Sequence, residues 1–173
     1  MPPALSQACA FQGQTCAALG SPFMGQLCAL LGSRDWPDTR LRDRYFTWEG
    51  DIGPNAQSLP LRLAGGLHAL VINADSLAAV YPPYVVGDDT LWAAVADAMV
   101  REDTFLTDWV DSPPQTNEVR RAAVLIAVGQ VLAGRFGLPM RLSELGASGG
   151  LNLMWDQFAA NLGGKCFGKT CAN

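Results

Sequence analysis

The sequence contains little histidine, little charge and a modest number of basic side chains. Its 173 residues include one histidine, His68, and 16% of them are charged. A single histidine argues against a zinc site built on imidazole ligands. The 12 basic and 16 acidic side chains leave a formal charge of −4. Because phosphate binding requires clustered positive charge, we expect no nucleic-acid partner. Because imidazole ligands are so scarce, we also expect no bound metal ion.

Targeting and membrane signals are also missing. The first residues carry no basic n-region of a secretory signal. The longest apolar run, residues 122–133, is interrupted by Gly129 and Gln130 and is shorter than the roughly 20 residues that span a bilayer. We therefore expect no membrane association and a cytoplasmic location. An odd number of cysteines without a signal peptide predicts reduced thiols, at Cys9, Cys16, Cys28, Cys166 and Cys171.

What the chain does contain is helical periodicity over most of its length. Apolar spacing and flanking Gly, Pro, Ser and Asp residues predict helices over residues 4–19, 22–32, 39–44, 59–73, 90–111 and 119–136, with a short one from Asp75 or Ser76 to Pro82. Aromatic residues scattered through 34–58 predict an ordered loop packed on the core. Gly65 and Gly66 interrupt a helix, which predicts close packing there. We place a domain boundary at 137, between a helical domain, 1–137, and a second part, 138–173.

The second part begins with a different pattern. Apolar residues over 140–145 predict a strand, Gly146, Gly149 and Gly150 predict a tight turn, and apolar spacing from Leu151 predicts a helix. Free amides in such a turn, at the positive end of a helix dipole, can hold an anion or the polar end of a cofactor. The fold prediction is therefore mainly α, with a helical N-terminal part followed by the first strand-turn-helix of a Rossmann-like α/β unit.

Two other interpretations of this turn remain open. Gly146, Ser148 and Gly150 satisfy Gly-x-Ser-x-Gly, the nucleophile elbow of serine hydrolases, with Ser148 as nucleophile. That fold places its histidine after the serine, whereas His68 precedes it. The turn can also be a simple connection in a helical scaffold that binds a partner without catalysis.

A polar turn at 112–118 is a second candidate region. Thr116 and Glu118 suit the start of a helix, but this leaves Gln115 and Asn117 without a structural role. We expect the turn to line a cleft, with Gln115 facing a substrate. Asn117, Glu118 and His68 are the candidate catalytic residues.

Three runs carry a family resemblance: residues 59–68, 113–118 and 144–152. Together they resemble the uncharacterised bacterial domain-of-unknown-function family 2332, whose members look like a helical part joined to a methyltransferase-like part and run longer than this chain. Glu144-x-Gly146-x-Ser148-x-Gly150 is similar to the opening motif of S-adenosylmethionine-dependent methyltransferases, with Ser148 where glycine is common.

The resemblance implies a site and a cofactor. Gly146 and Gly150 would let the backbone approach S-adenosylmethionine, and Glu144 would lie near its amino-acid moiety. The full set of expected cofactor-binding residues is Glu144, Gly146, Ser148, Gly149, Gly150 and Asn152. Because the chain is shorter than its relatives, we expect little or no catalysis from it alone. The unpaired strand at 140–145 also predicts an oligomer that pairs it with another chain.

Overall fold

Helices make up most of the structure, so the prediction of a mainly α fold is confirmed. The computed structural model describes residues 1–54, 56–114 and 119–168. These residues divide into two compact units, Met1–Pro114 and Gln115–Asn173. The helix that precedes residue 137 therefore groups with the second unit, whereas the sequence places it in the first domain.

The first unit contains six α-helices, and short-range signals begin most of them. Proline occupies the first turn of three helices, where its missing N–H is not needed. The Thr39 hydroxyl accepts from the Arg42 N–H at 3.1 Å, whereas the Ser21 side chain, which precedes α2, makes no such capping bond. The helices are α1 Pro3–Ala18, α2 Pro22–Ser33, α3 Arg40–Phe46, α4 Leu59–Ile72, α5 Asp88–Arg101 and α6 Asp103–Val110, with a 3-10 helix at Ser76–Val80.

The predicted single helix over 90–111 is wrong, because the chain breaks at Glu102. Glu102 leaves helical geometry, at φ −110° and ψ 27°, and separates α5 from α6. The Asp103 carboxylate accepts from the backbone N–H groups of Arg40, at 3.1 Å, and Leu41, at 2.8 Å. A contact with another helix therefore accompanies the break, and apolar periodicity alone does not reveal it.

Packing around α4 forms the core of the first unit. Leu59, Leu63 and Leu67 on α4 are fully buried, together with leucines from α2 and α5. Aromatic residues of the segment 34–58 pack on this core as predicted. The indole N–H of Trp36 donates to the Leu31 carbonyl at 3.0 Å, and the Tyr45 hydroxyl donates to the Leu59 carbonyl at 2.9 Å.

The glycine pair in α4 has the close-packing role that the sequence predicted. A Cβ on Gly66 would lie 3.0 Å from side-chain atoms of both Leu106 and Trp109 on α6. Gly65 is less constrained, since its nearest neighbour would be the Trp109 indole nitrogen at 3.5 Å. Arg62, buried on the same helix, donates to the Val110 and Asp111 carbonyls at 3.1 and 2.9 Å. It thereby satisfies carbonyls at the end of α6.

The described part of the second unit, residues 119–168, contains one long helix and a small hairpin. Its elements are a 3-10 turn at Val119–Arg121, α7 Ala122–Phe136, a 3-10 helix Leu151–Gln157, and the strands β1 Ala159–Leu162 and β2 Lys165–Gly168. The strands pair antiparallel through a turn at Gly163 and Gly164, both with positive φ. Gly137, at φ +62°, ends α7 as predicted.

The strand expected in this unit is absent. Residues 140–145 form no strand, because no other described strand lies beside them, and a lone strand cannot satisfy its backbone groups. A helix as apolar as α7 is normally buried on several sides, yet only Ala122, Ile126 and Gly129 on this helix are buried. The sheet forms instead at 159–168, where two adjacent glycines close a hairpin.

The cysteines follow the predicted reduced state only in part. Cys9, Cys16 and Cys28 are free thiols. Cys166 is bonded in a disulfide, which corrects the prediction at that position. Cys171 lies outside the described residues.

Candidate functional site

The glycine turn at 144–152 is an irregular loop with several left-handed residues. Gly146, Ser148 and Gly150 have φ values of +70°, +50° and +74°. Space is open on the side of Gly146 and Gly150 where a Cβ would lie, since no heavy atom comes within 4 Å of either position. Glycine is therefore needed here for backbone conformation, and the same two positions leave room for another molecule to approach.

Glu144 and Asn152 form the polar centre of this loop. The Asn152 amide nitrogen donates to Glu144 Oε1 at 3.4 Å, and Asn152 is only 5% exposed. The second carboxylate oxygen of Glu144, Oε2, and the one side-chain oxygen of Asn152, Oδ1, are both buried and accept no hydrogen bond from the described residues. Buried polar atoms are almost always hydrogen-bonded in native proteins, so two neighbouring orphan acceptors need an explanation.

Other parts of the predicted anion site are weaker than expected. The element after the turn is a seven-residue 3-10 helix, kinked at Met154, and not the α-helix that the dipole argument requires. The Gly150 N–H already donates to the Ala147 carbonyl at 2.8 Å. The two side-chain acceptors, and not a row of free amides, are therefore the distinctive feature of the loop.

The remaining predicted residues belong to the first unit, to the exposed part of the turn, or to the stretch outside the described residues. His68 is exposed on α4 in the first unit, where its ring stacks on Tyr81 with centroids 6.2 Å apart. Ser148 and Gly149 are exposed in the turn itself. Gln115, Asn117 and Glu118 are outside the described residues, so their predicted cleft-lining and catalytic roles stay predictions.

Thiol and metal chemistry receive no support from the described residues. Burial raises the pKa of both Cys9 and Cys28 to about 12, with a smaller contribution from a neighbouring thiol. Since the thiolate is the nucleophilic form, these are inert packing groups at neutral pH. No cluster of three or more His, Cys, Asp or Glu side chains suited to a metal ion occurs in the described ranges. Within the same ranges no helix is long and apolar enough to cross a membrane.

The structure also contains features that the sequence analysis missed. Trp155 packs on α7 so closely that a Cβ on Gly129 would lie 2.1 Å from its ring. A cleft of about 700 Å³ lies between α7 and β1, and its lining includes none of the predicted cofactor-binding residues. The adjacent Gly163 and Gly164 were the available signal for the hairpin, because Gly-Gly is a typical two-residue hairpin turn.

The fold and the loop define a mainly helical protein with a glycine-rich polar turn. A family model described as an uncharacterised protein conserved in bacteria, DUF2332, matches residues 6–173. The chain belongs to this family, which confirms the resemblance seen in its three sequence runs. No curated protein matches the chain. No solved structure matches it either.

Proposed function

We propose that this chain carries part of an S-adenosylmethionine-dependent methyltransferase-like site, with Glu144 and Asn152 holding the amino-acid end of the cofactor. The supporting observation is the pair of buried oxygens, Glu144 Oε2 and Asn152 Oδ1, that accept no hydrogen bond. An acceptor left unpaired in a protein interior costs roughly 1–3 kcal/mol. A bound donor at this position would remove that cost.

The chemistry of these oxygens favours a cationic donor. A carboxylate next to an amide oxygen attracts an ammonium group, whose three N–H donors can serve both acceptors at once. The amino-acid moiety of S-adenosylmethionine carries such a group. The open space beside Gly146 and Gly150 would admit the rest of that moiety along the backbone.

The residues of this chain would bind and orient the cofactor. When bound, S-adenosylmethionine supplies an electrophilic methyl group. Gln115, Asn117, Glu118 and His68 remain the proposed substrate-facing residues, with Ser148 and Gly149 in the cofactor-binding turn. The activity proposed here is that of a complete methyltransferase-like site, and we expect binding to be easier to detect than turnover in this chain.

Calorimetry with S-adenosylmethionine tests the proposal on this chain and on another member of the same family. Glu144→Gln replaces an acceptor oxygen with an N–H₂ group facing the ammonium, so we expect at least a roughly tenfold weaker affinity. Asp156→Asn is the matched control, because it removes the same charge from an exposed position nearby. Absence of heat with both proteins, or equal affinities for the two variants, would contradict a cofactor site at Glu144.

One observation keeps a serine nucleophile as the second candidate. Ser148 has a left-handed backbone, at φ +50°, which is unusual for a residue with a side chain and resembles the strained turn of a nucleophile elbow. A fluorophosphonate probe would then label Ser148, and Ser148→Ala would abolish labelling while Ser143→Ala would not. Failure to label the wild-type chain removes this candidate.

A further inference from the structure

A cleft in the second unit lies between the start of α7 and strand β1. Its volume is about 700 Å³, within the range of sites that bind ligands or peptide side chains. One wall comes from α7 and the other from the hairpin. The lining residues are Arg120, Ala122, Ala123, Ile126, Leu151, Gln157, Phe158, Ala159, Ala160, Asn161 and Leu162.

The lining pattern indicates that the cleft follows the edge of β1. Side chains of a strand alternate between its two faces, so a cleft over one face would be lined by every second residue. Here five consecutive residues, 158–162, line it, and no residue of β2 does. The cleft therefore runs along the side of β1 that faces away from β2.

The register of the hairpin shows which backbone groups point into that side. A two-residue turn makes its flanking residues, Leu162 and Lys165, a hydrogen-bonded pair, and alternation makes Ala160 and Phe167 the next one. The N–H and C=O groups of Ala159 and Asn161 consequently point away from β2. In the part of the chain that the structure describes, β1 pairs with β2 alone.

The facing wall is apolar and its end is basic. Ala122, Ala123 and Ile126 on α7 provide small and branched aliphatic surface. Arg120 adds a guanidinium at the start of this wall, and its five N–H donors allow it to serve more than one acceptor. An open strand edge beside an apolar helix is the arrangement that binds extended peptides by strand addition.

We propose that this cleft binds an extended peptide segment of a partner protein as an additional strand on β1. The peptide backbone pairs with Ala159 and Asn161, and its alternate apolar side chains lie against Ala122, Ala123 and Ile126. An acidic side chain at one end of the segment meets Arg120 by charge complementarity. This proposal is independent of any cofactor at the glycine turn.

Fluorescence polarisation with two labelled, amidated hexapeptides tests it: Glu-Val-Thr-Val-Thr-Val and Val-Thr-Val-Thr-Val-Glu, which allow for either strand direction. We expect saturable binding of at least one to the full chain, and about fivefold or greater weakening when its Glu is replaced by Lys. Methylating every second backbone nitrogen gives two versions of each peptide, which block opposite sets of backbone N–H groups. Only the version that blocks the N–H groups facing β1 should lose binding, because the other N–H groups face away from the strand.

Variants of the chain test the receptor side. Ala159→Pro removes an outward N–H at the first position of β1, where proline is tolerated, and we expect about five- to tenfold weaker binding. Ala159→Val keeps that N–H and should bind normally. If Ala159→Pro perturbs the hairpin, the pair of methylated peptides still decides.

Four results would overturn the proposal. The first is no saturable binding of either peptide, and the second is equal binding of the two methylated versions. The third is a dimer in sedimentation analysis that Ala159→Pro dissociates while no peptide binds, since the occupant would then be a second copy of this chain. The fourth is displacement of the bound peptide by dodecanoate, at an affinity equal to that of the peptide and without any effect of backbone methylation. The occupant of the cleft would then be a small apolar acid.

Discussion

The two units of this chain differ in how far their large apolar side chains are buried. In Met1–Pro114, leucines and valines from the six described α-helices, together with Tyr45, meet in one buried core. In the described part of Gln115–Asn173, the buried core consists of Ala122, Ile126 and Trp155, while aliphatic residues along α7 and the following loop are exposed. Six α-helices can enclose a core, whereas one α-helix with a two-stranded hairpin cannot.

This difference in burial indicates which surfaces of the second unit are suited to contact another protein. Val124, Val128 and Val131 on α7 are all exposed, and Leu145 in the glycine loop is fully exposed. A helix that is apolar all round is normally covered on several sides. An apolar surface of this extent is typical of a region that contacts other protein, so the candidate sites of this chain lie in its less enclosed unit.

Matched leucine truncations should give the largest contrast between the units. Leu63 is 0% exposed in the first core, and Leu63→Ala should lower the free energy of unfolding by about 2–5 kcal/mol. Leu142 is 45% exposed, and Leu142→Ala should change it by less than about 0.5 kcal/mol. Urea unfolding measures both. Equal losses would mean that the second unit is as well packed as the first.

The packing of the second unit can be tested at Gly129. A Cβ there would lie 2.1 Å from the Trp155 ring, so Gly129→Ala should force the ring away and cost about 1–3 kcal/mol. Gly134→Ala on the same helix meets no atom within 4 Å and should stabilise α7 by up to about 1 kcal/mol. Hydrogen exchange of the α7 amides reports both changes. If the two variants behaved alike, Trp155 would not be packed on α7.

Two buried tyrosines sharpen the description of the first core. The Tyr45 hydroxyl donates to the Leu59 carbonyl, so Tyr45→Phe should cost about 1 kcal/mol. The Tyr81 hydroxyl is buried without a partner, so Tyr81→Phe should be neutral or slightly stabilising. Burial raises the pKa of both phenols, which keeps them neutral below about pH 10. Thermal unfolding of the two variants gives the comparison, and a larger loss for Tyr81→Phe would contradict it.

The smallest expected effect concerns acid stability of the first unit. Hydrogen bonds, first from Arg101 and then from the Leu77 N–H, lower the pKa of Asp75 below its ordinary value. A lowered folded-state pKa stabilises the fold above the unfolded-state pKa, and this contribution is lost as the pH falls through the folded-state value. Asp75→Asn should therefore cost under about 1 kcal/mol at pH 7, with the difference shrinking toward pH 3.

The control for Asp75 is another ion pair of the same unit. Asp89 bridges Arg34 at 2.6 Å, but its side chain is 91% exposed. Asp89→Asn should change the urea midpoint little at any pH. If the stability of the two variants depended equally on pH, the hydrogen bond from the Leu77 N–H to Asp75 would not contribute to acid stability.

Much of the first unit was predictable from the sequence, and less of the second. Proline, glycine and polar residues at helix ends act over one turn, so α1, α2 and α4 begin and end close to their predicted positions. At the candidate site, the resemblance over residues 144–152 predicts Glu144 and Asn152 as cofactor-binding residues, but the burial of their unpaired oxygens depends on how the loop folds. The strand predicted over 140–145 had the right composition but, among the residues that the structure describes, no neighbour with which to pair.

By itself, the sequence determined the helical class, the family and the end of α7 at Gly137, because periodicity, motif order and left-handed glycines are local properties. Tertiary structure alone decided the break at Glu102, the close approach of Gly129 to Trp155 and the pairing of β1 with β2. These depend on which distant segments meet. The free energy of such contacts outweighs the intrinsic preference of a short segment for helix or strand.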